Sequence, residues 1–203
     1  MKEILILLFI FVGINTASAQ FAENNAIYLS GEVGGGNYFN GDINLNYVYK
    51  ENYSIKIGVS GNLRKAVSQP GDLRSSLTES VFTFGLTNPK DQLDTYSVSL
   101  GKVVNLNKSR NIRANLMFGV GYTTITEPEN YEKVEVSIIG GMVMGNYTWD
   151  YGKRHGISFI INPKIEFPIT RYWGLTVSPM VQLNKDRTYF GIGIGSMIGL
   201  LRP

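Results

Sequence analysis

Near its end the chain reads Tyr189-Phe-Gly-Ile-Gly-Ile-Gly-Ser-Met-Ile-Gly-Leu-Leu201. Glycine weakens a strand, because it has no side chain to pack and the most backbone freedom to lose. In a strand, successive side chains point to opposite faces. Ile192, Ile194, Ile198 and Leu200 therefore share one face, and Gly191, Gly193, Gly195 and Gly199 share the other. The isoleucine face needs an apolar surrounding, and the glycine face must make room for something bulky.

The same split runs through the rest of the chain, with no convincing helical periodicity. Ile43, Leu45, Tyr47 and Tyr49 oppose Asp42, Asn44, Asn46 and Lys50, and Tyr53, Ile55, Ile57 and Val59 oppose Ser54, Lys56, Gly58 and Ser60. Further on, Ala114, Leu116, Phe118 and Val120 oppose Arg113, Asn115, Met117 and Gly119. Ile157, Phe159, Ile161 and Ile165 oppose Ser158, Ile160, Asn162, Lys164 and Glu166, and Trp173, Leu175 and Val177 oppose Gly174, Thr176 and Ser178. The pattern predicts eight strands, over residues 26–36, 41–50, 53–64, 93–105, 110–124, 156–168, 172–184 and 187–201. Connections at 51–52, 106–109 and 169–171 are short, as are those at 37–40 and 185–186, whereas 65–92 and 125–155 read as long loops. Two segments inside them, 78–86 and 134–145, read as hairpin extensions; counted as barrel strands they would give ten.

The bulk composition narrows the setting. The chain has 203 residues, enough for one domain, and its formal net charge of +3 includes no basic stripe suited to nucleic acid. Charged residues make up 17%, below the roughly 25% of soluble domains. Met1-Lys2, the apolar run Ile4 to Ile14 and Ala17-Ser18-Ala19 predict a secretory signal peptide over 1–19, leaving 20–203 as the mature domain. The absence of cysteine removes disulfides, thiol chemistry and a lipid-modified cysteine anchor.

An exported chain of even strand number, with one apolar face per strand and loops of alternating length, predicts an all-β, antiparallel, up-and-down transmembrane β-barrel. Isoleucine then faces lipid and glycine faces a packed lumen, in which small residues leave space for a polar network of Glu32, Lys56, Arg113, Lys164 and Glu166. Tyr47, Tyr49 and Tyr53 flank one short turn, and Phe167, Tyr172 and Trp173 flank another, as expected of membrane-interface aromatics.

On its signal peptide, strand pattern and stretches such as Ile161-Asn-Pro-Lys-Ile-Glu-Phe-Pro168 and Tyr189-Phe-Gly-Ile-Gly-Ile194, the chain resembles the small bacterial outer-membrane β-barrel proteins of the eight-stranded OmpA/OmpX-like type. The resemblance implies the outer membrane of a Gram-negative bacterium. It also implies outer-membrane lipid and the barrel assembly machinery as partners, with no cofactor. Such barrels often end in an aromatic residue read during assembly, whereas this sequence ends Leu200-Leu201-Arg202-Pro203.

Three functional readings follow. In the first, a non-catalytic barrel displays loops to an extracellular ligand, for adhesion, binding or envelope integrity. Its contact candidates are Ile138, Ile139, Met142, Met144, Tyr147 and Trp149. In the second, which the resemblance brings in, a barrel enzyme modifies lipid A or phospholipid with a histidine, a serine and a carboxylate. The lone His155 lies three residues from Ser158, which on a strand sets them on opposite faces, and Glu166 falls near the other membrane edge. The third is a narrow pore, disfavoured by a filled eight-stranded interior. Gly31-Glu-Val-Gly-Gly-Gly36 precedes no helix and so is no phosphate loop, and no metal-ligand spacing occurs.

Overall fold

A computed structural model describes residues 25–73, 88–134, 138–139, 142–143 and 146–201. The expected signal peptide and the segment 78–86 lie outside the described residues. The strands are β1 (Ala26–Gly36), β2 (Phe39–Tyr49), β3 (Tyr53–Lys65), β4 (Lys90–Asn105), β5 (Arg113–Lys133), β6 (Ile138–Ile139), β7 (Met142–Val143), β8 (Tyr147–Pro168), β9 (Trp173–Asn184) and β10 (Thr188–Leu200). Eight of them close a barrel in the order β1-β10-β9-β8-β5-β4-β3-β2, every pair antiparallel. Closure comes from β1 on β10, in register from Ile27 opposite Leu200 to Gly36 opposite Gly191. The remaining two form a two-residue ladder of their own, so the barrel has eight strands and not ten.

The parity of the sequence is the parity of the wall. Ile192, Ile194 and Ile198 are 58–63% exposed on the outside, while Tyr189, Gly193 and Met197 are buried inside. Apolar side chains cover the outer face of the other strands likewise, among them Leu29, Ile43, Ile57, Leu100, Phe118 and Phe159. Exposed Tyr49, Tyr53, Tyr172 and Trp173 ring the short-turn edge. There the cations of Lys50, Lys102 and Arg171 lie 5.2, 4.7 and 5.8 Å from the rings of Tyr49, Tyr53 and Tyr172. Tyr47 is half-buried, its hydroxyl donating to Asn25, and Phe167 is half-buried. The opposite edge carries its own exposed aromatics, Phe39, Tyr96, Tyr122 and Phe190. An apolar band with aromatic margins on a closed antiparallel sheet is a transmembrane barrel, because hydrocarbon offers no partner to an open backbone edge.

Two expectations of loop length change. β5 and β8 continue far past 124 and begin well before 156, pairing out to Lys133 opposite Tyr147 with an irregularity between Glu129 and Glu132. Most of 125–155 is thus a long hairpin and not a loop. The apolar alternation fades there because the outward side chains have left the hydrocarbon: Thr124, Thr126, Lys153 and His155 replace the leucines and isoleucines below. At the other edge β5 begins at Arg113, since 106–112 form a turn closed by Leu106 N–H on the Ile112 carbonyl (2.9 Å). The β2–β3 connection, Lys50 to Asn52, sets Lys50 and Glu51 at φ 47° and 54°, the left-handed centre of a turn closed by Asn52 N–H on the Tyr49 carbonyl (3.0 Å).

The glycines of β10 answer to particular neighbours. A Cβ on Gly195 would meet Glu32 Cγ at 2.7 Å, and one on Gly191 would meet the Gly35 carbonyl at 2.7 Å and the Tyr189 ring. Gly199 has φ +143°, in addition to crowding by Tyr28. Gly193 alone among them has ordinary room, with Glu32 Cβ at 3.6 Å. Gly195→Ala should therefore destabilise the barrel by about 1–3 kcal/mol, and Gly193→Ala should leave it nearly unchanged. Urea unfolding in lipid vesicles checks the pair; equal midpoints would remove the packing explanation.

Candidate functional site

The lumen is a stack of polar groups between two apolar plugs, most of them hydrogen-bonded, with Asn46 Oδ1, Ser99 Oγ, Arg113 Nη2, Thr176 Oγ1 and Gln182 Oε1 left without a partner. At the short-turn end, Ala26, Tyr28, Val48, Val103, Met197 and Leu201 pack together. At the other end, Tyr38, Leu93, Ile125, Ile160, Met180 and Tyr189 do the same. Tyr28, Tyr38 and Tyr189 are inward aromatics that the sequence reading did not foresee, although their positions in the alternation mark them.

Between the plugs lie all five of the sequence-selected polar residues, Glu32, Lys56, Arg113, Lys164 and Glu166, each buried. Arg113 Nε donates to Glu166 at 2.5 Å, and Arg113 Nη1 donates to the Leu201 carbonyl at 2.8 Å. Glu166 also accepts from the Tyr28 hydroxyl (2.7 Å) and from Asn115 (3.2 Å). Lys164 donates to Glu32, and Lys56 donates to Asn162 at 2.7 Å. Asn162 in turn donates to Ser178 at 2.6 Å. The sequence reading omitted Asp42, which accepts from Asn44 at 2.5 Å on the same inward face. Above these, Thr95, Thr123, Ser158 and Gln182 share one hydrogen-bond cluster.

Pairs of this kind lock the lumen because an ion left alone in a poorly solvated interior is costly. Arg113→Ala should strand Glu166 and destabilise the barrel by about 3–5 kcal/mol. An Arg113→Met, Glu166→Leu double variant should recover much of that loss. Vesicle unfolding of the single and double variants is the measurement, and a fully additive double variant would contradict the pairing.

The histidine, serine and carboxylate do not assemble. His155 is exposed on the outer face, stacked on Tyr122 (centroids 5.7 Å apart, planes 9° apart) with Thr124 Oγ1 at 3.1 Å from Nδ1. Ser158 is fully buried in the lumen cluster, and Glu166 is held by Arg113 near the other end.

The β5–β8 hairpin forms a second site. Beyond the barrel wall, Tyr131 lies between Tyr147 (6.4 Å, edge-on) and Trp149 (6.2 Å). The segment after β3 fastens to this cluster. Asp72 accepts from the Tyr147 hydroxyl (2.8 Å) and from Lys133 (3.0 Å), and Asn146 donates to the Asp72 carbonyl (2.9 Å). Ser68 donates to the Pro128 carbonyl at 2.9 Å. Of the apolar contact candidates, Ile138, Ile139 and Met142 are described only through their backbone pairing, and Met144 lies outside the described residues. The Tyr147 hydroxyl, then Lys133, hold the Asp72 carboxyl below the usual carboxylate range. A depressed carboxyl stabilises its contact above the unfolded value and loses it as pH falls through the folded one. Docking of 66–73 should thus persist at neutral pH and be lost only below the usual carboxylate range, near pH 4. Trp149 fluorescence in a Trp173→Phe background reads this, and Tyr147→Phe should move the transition to higher pH.

No protein-family model matches the chain, and no curated protein matches its sequence. Its fold nevertheless has counterparts among solved structures. Ail, the attachment invasion locus protein of Yersinia pestis, superimposes with a TM-score of 0.51 over 87% of this chain and 98% of that one, at 10% identity. The N-terminal β-barrel domain of Pseudomonas aeruginosa OprF gives 0.52 over 87% and 97%, at 8% identity. The fold is that of the small eight-stranded outer-membrane β-barrels.

Proposed function

We propose that the protein is a non-catalytic barrel of the outer membrane of a Gram-negative bacterium, exported by a cleaved signal peptide, that displays the β5–β8 hairpin as a binding surface. One observation carries this reading. The two longest strands, 21 and 22 residues, leave the barrel together and bring three aromatic side chains to their ends, braced by a second connection through Asp72. A lumen without bulk solvent needs no such extension, whereas a rigid arm that presents aromatic rings to a partner does. Ail, the attachment invasion locus protein of Yersinia pestis, offers a parallel in fold. Adhesion and envelope integrity are the roles this arm suits. Membrane lipid and the assembly machinery are its partners in the envelope.

The cysteine-free sequence makes the topology directly measurable. Single cysteines replacing Thr148, on the hairpin, and Lys108, in a short turn, should respond oppositely to a membrane-impermeant maleimide. Position 148 should label in intact cells, and 108 only after the outer membrane is opened. The reverse pattern would invert the barrel, and release of the protein into the soluble periplasmic fraction would end the membrane reading.

A further inference from the structure

The short-turn end of the lumen opens into a cup. Its volume is about 430 Å³, within the roughly 300–1,000 Å³ of small-ligand sites. Ala26, Val48, Val103 and Leu201, all members of the apolar plug, line it. So do three arginines, Arg110, Arg113 and Arg171. The first strand position of β5 carries Arg113, and the turns on either side of the mouth, after β4 and after β8, carry Arg110 and Arg171.

Two of these three cations are matched. Arg110 holds Glu51, the one carboxylate of the lining, at 2.7 Å. Arg113 donates through Nε to Glu166 and through Nη1 to the Leu201 carbonyl. Its Nη2, however, is buried with no hydrogen-bond partner. Arg171 is exposed and makes no ion pair among the described residues. The cup thus carries one uncompensated charge and one open guanidinium donor. A buried donor without an acceptor is costly and calls for a group to meet it. A carboxylate fits this demand, because its two oxygens can each take a guanidinium N–H.

We propose that the cup binds the carboxylate end of a short apolar chain, such as a peptide C-terminus. Arg171 and the open Nη2 of Arg113 meet the carboxylate, and Ala26, Val48 and Val103 meet the apolar body. One negative charge is the right number: a monocarboxylate neutralises Arg171, whereas a dianion brings a second charge beside Glu51. A bare inorganic anion has nothing to bury against the apolar floor. The cup lies on the periplasmic side in the orientation proposed above, and its chemistry is independent of that orientation.

The test uses the purified full-length protein, labelled with nitrogen-15, in micelles of an uncharged detergent. NMR titration follows the guanidinium and backbone N–H signals of Arg113 and Arg171. N-acetyl-leucine, N-acetyl-leucinamide and inorganic phosphate are the probes. N-acetyl-leucine should shift these signals saturably, with a dissociation constant on the order of 1 mM. The R171Q variant should bind it roughly tenfold more weakly. K108Q, in the same turn as Arg110 but outside the cup, should bind it as the wild type does. Equal losses in the two variants would reduce the effect to the general charge of this edge and overturn the site, as would unchanged binding by R171Q. The amide binding as tightly as the acid would overturn the role of the carboxylate, and phosphate doing so would overturn the role of the apolar floor. Micelles have no inside or outside, so an inverted result in the labelling experiment leaves this outcome readable on its own.

Discussion

The structure depends on the closure of β10 against β1. Within hydrocarbon no water is present to satisfy a backbone N–H or C=O, and a single open edge would expose a row of them. The ten residue pairs from Ile27–Leu200 to Gly36–Gly191 remove that edge. Close approach is what makes the seam possible. Gly34, Gly36, Gly191, Gly195 and Gly199 all lie in it, and a Cβ on Gly34 would meet the Ile192 carbonyl at 2.6 Å. Small residues on the inward side of the seam let Glu32 and Tyr28 swing across the lumen toward Lys164 and Glu166. Backbone satisfaction and lumen chemistry are therefore coupled through the same glycines.

That coupling explains why the interior is charged at all. A narrow lumen could be filled with aliphatic and aromatic side chains, and both of its ends are. Between those ends it instead carries Arg113–Glu166, joined by Tyr28 and Asn115 so that three strands meet there, and Lys164–Glu32, which ties β8 to β1. Both pairs fix register, Arg113–Glu166 between neighbouring strands and Lys164–Glu32 across the lumen, because a slip of one residue would carry a partner to the lipid face.

Most of the wall was legible in the sequence, because a period of two leaves little freedom: once Ile192 faces lipid, Gly191 must face in. The reading failed where the solvent changes along a strand. At Thr124 and Lys153 the outward face is polar although the ladder continues, so alternation of hydropathy stops marking strand residues and 125–155 resembled a loop. The lumen residues were legible as charges on an otherwise apolar strand. Their partners were not, since which inward residues meet across the barrel depends on strand tilt and stagger, which no local pattern records. Tyr28, Tyr38 and Tyr189 escaped notice for a related reason. Tyrosine near a strand end suits both an interface and a plug, and only parity separates the two.

The rim shows how the two solvents divide the work of one strand. Arg64 and Lys65 are neighbours, yet the first is paired with Asp91 inside while the second faces out beside Lys90 with no carboxylate partner among the described residues. A guanidinium forms planar, multiple hydrogen bonds and suits a fixed internal pair. An ammonium on a flexible stem is strongly hydrated and suits an outward position in water. The same alternation that separates lipid from lumen in the wall thus separates, above it, a rigid interior pair from a basic exterior beyond the hydrocarbon.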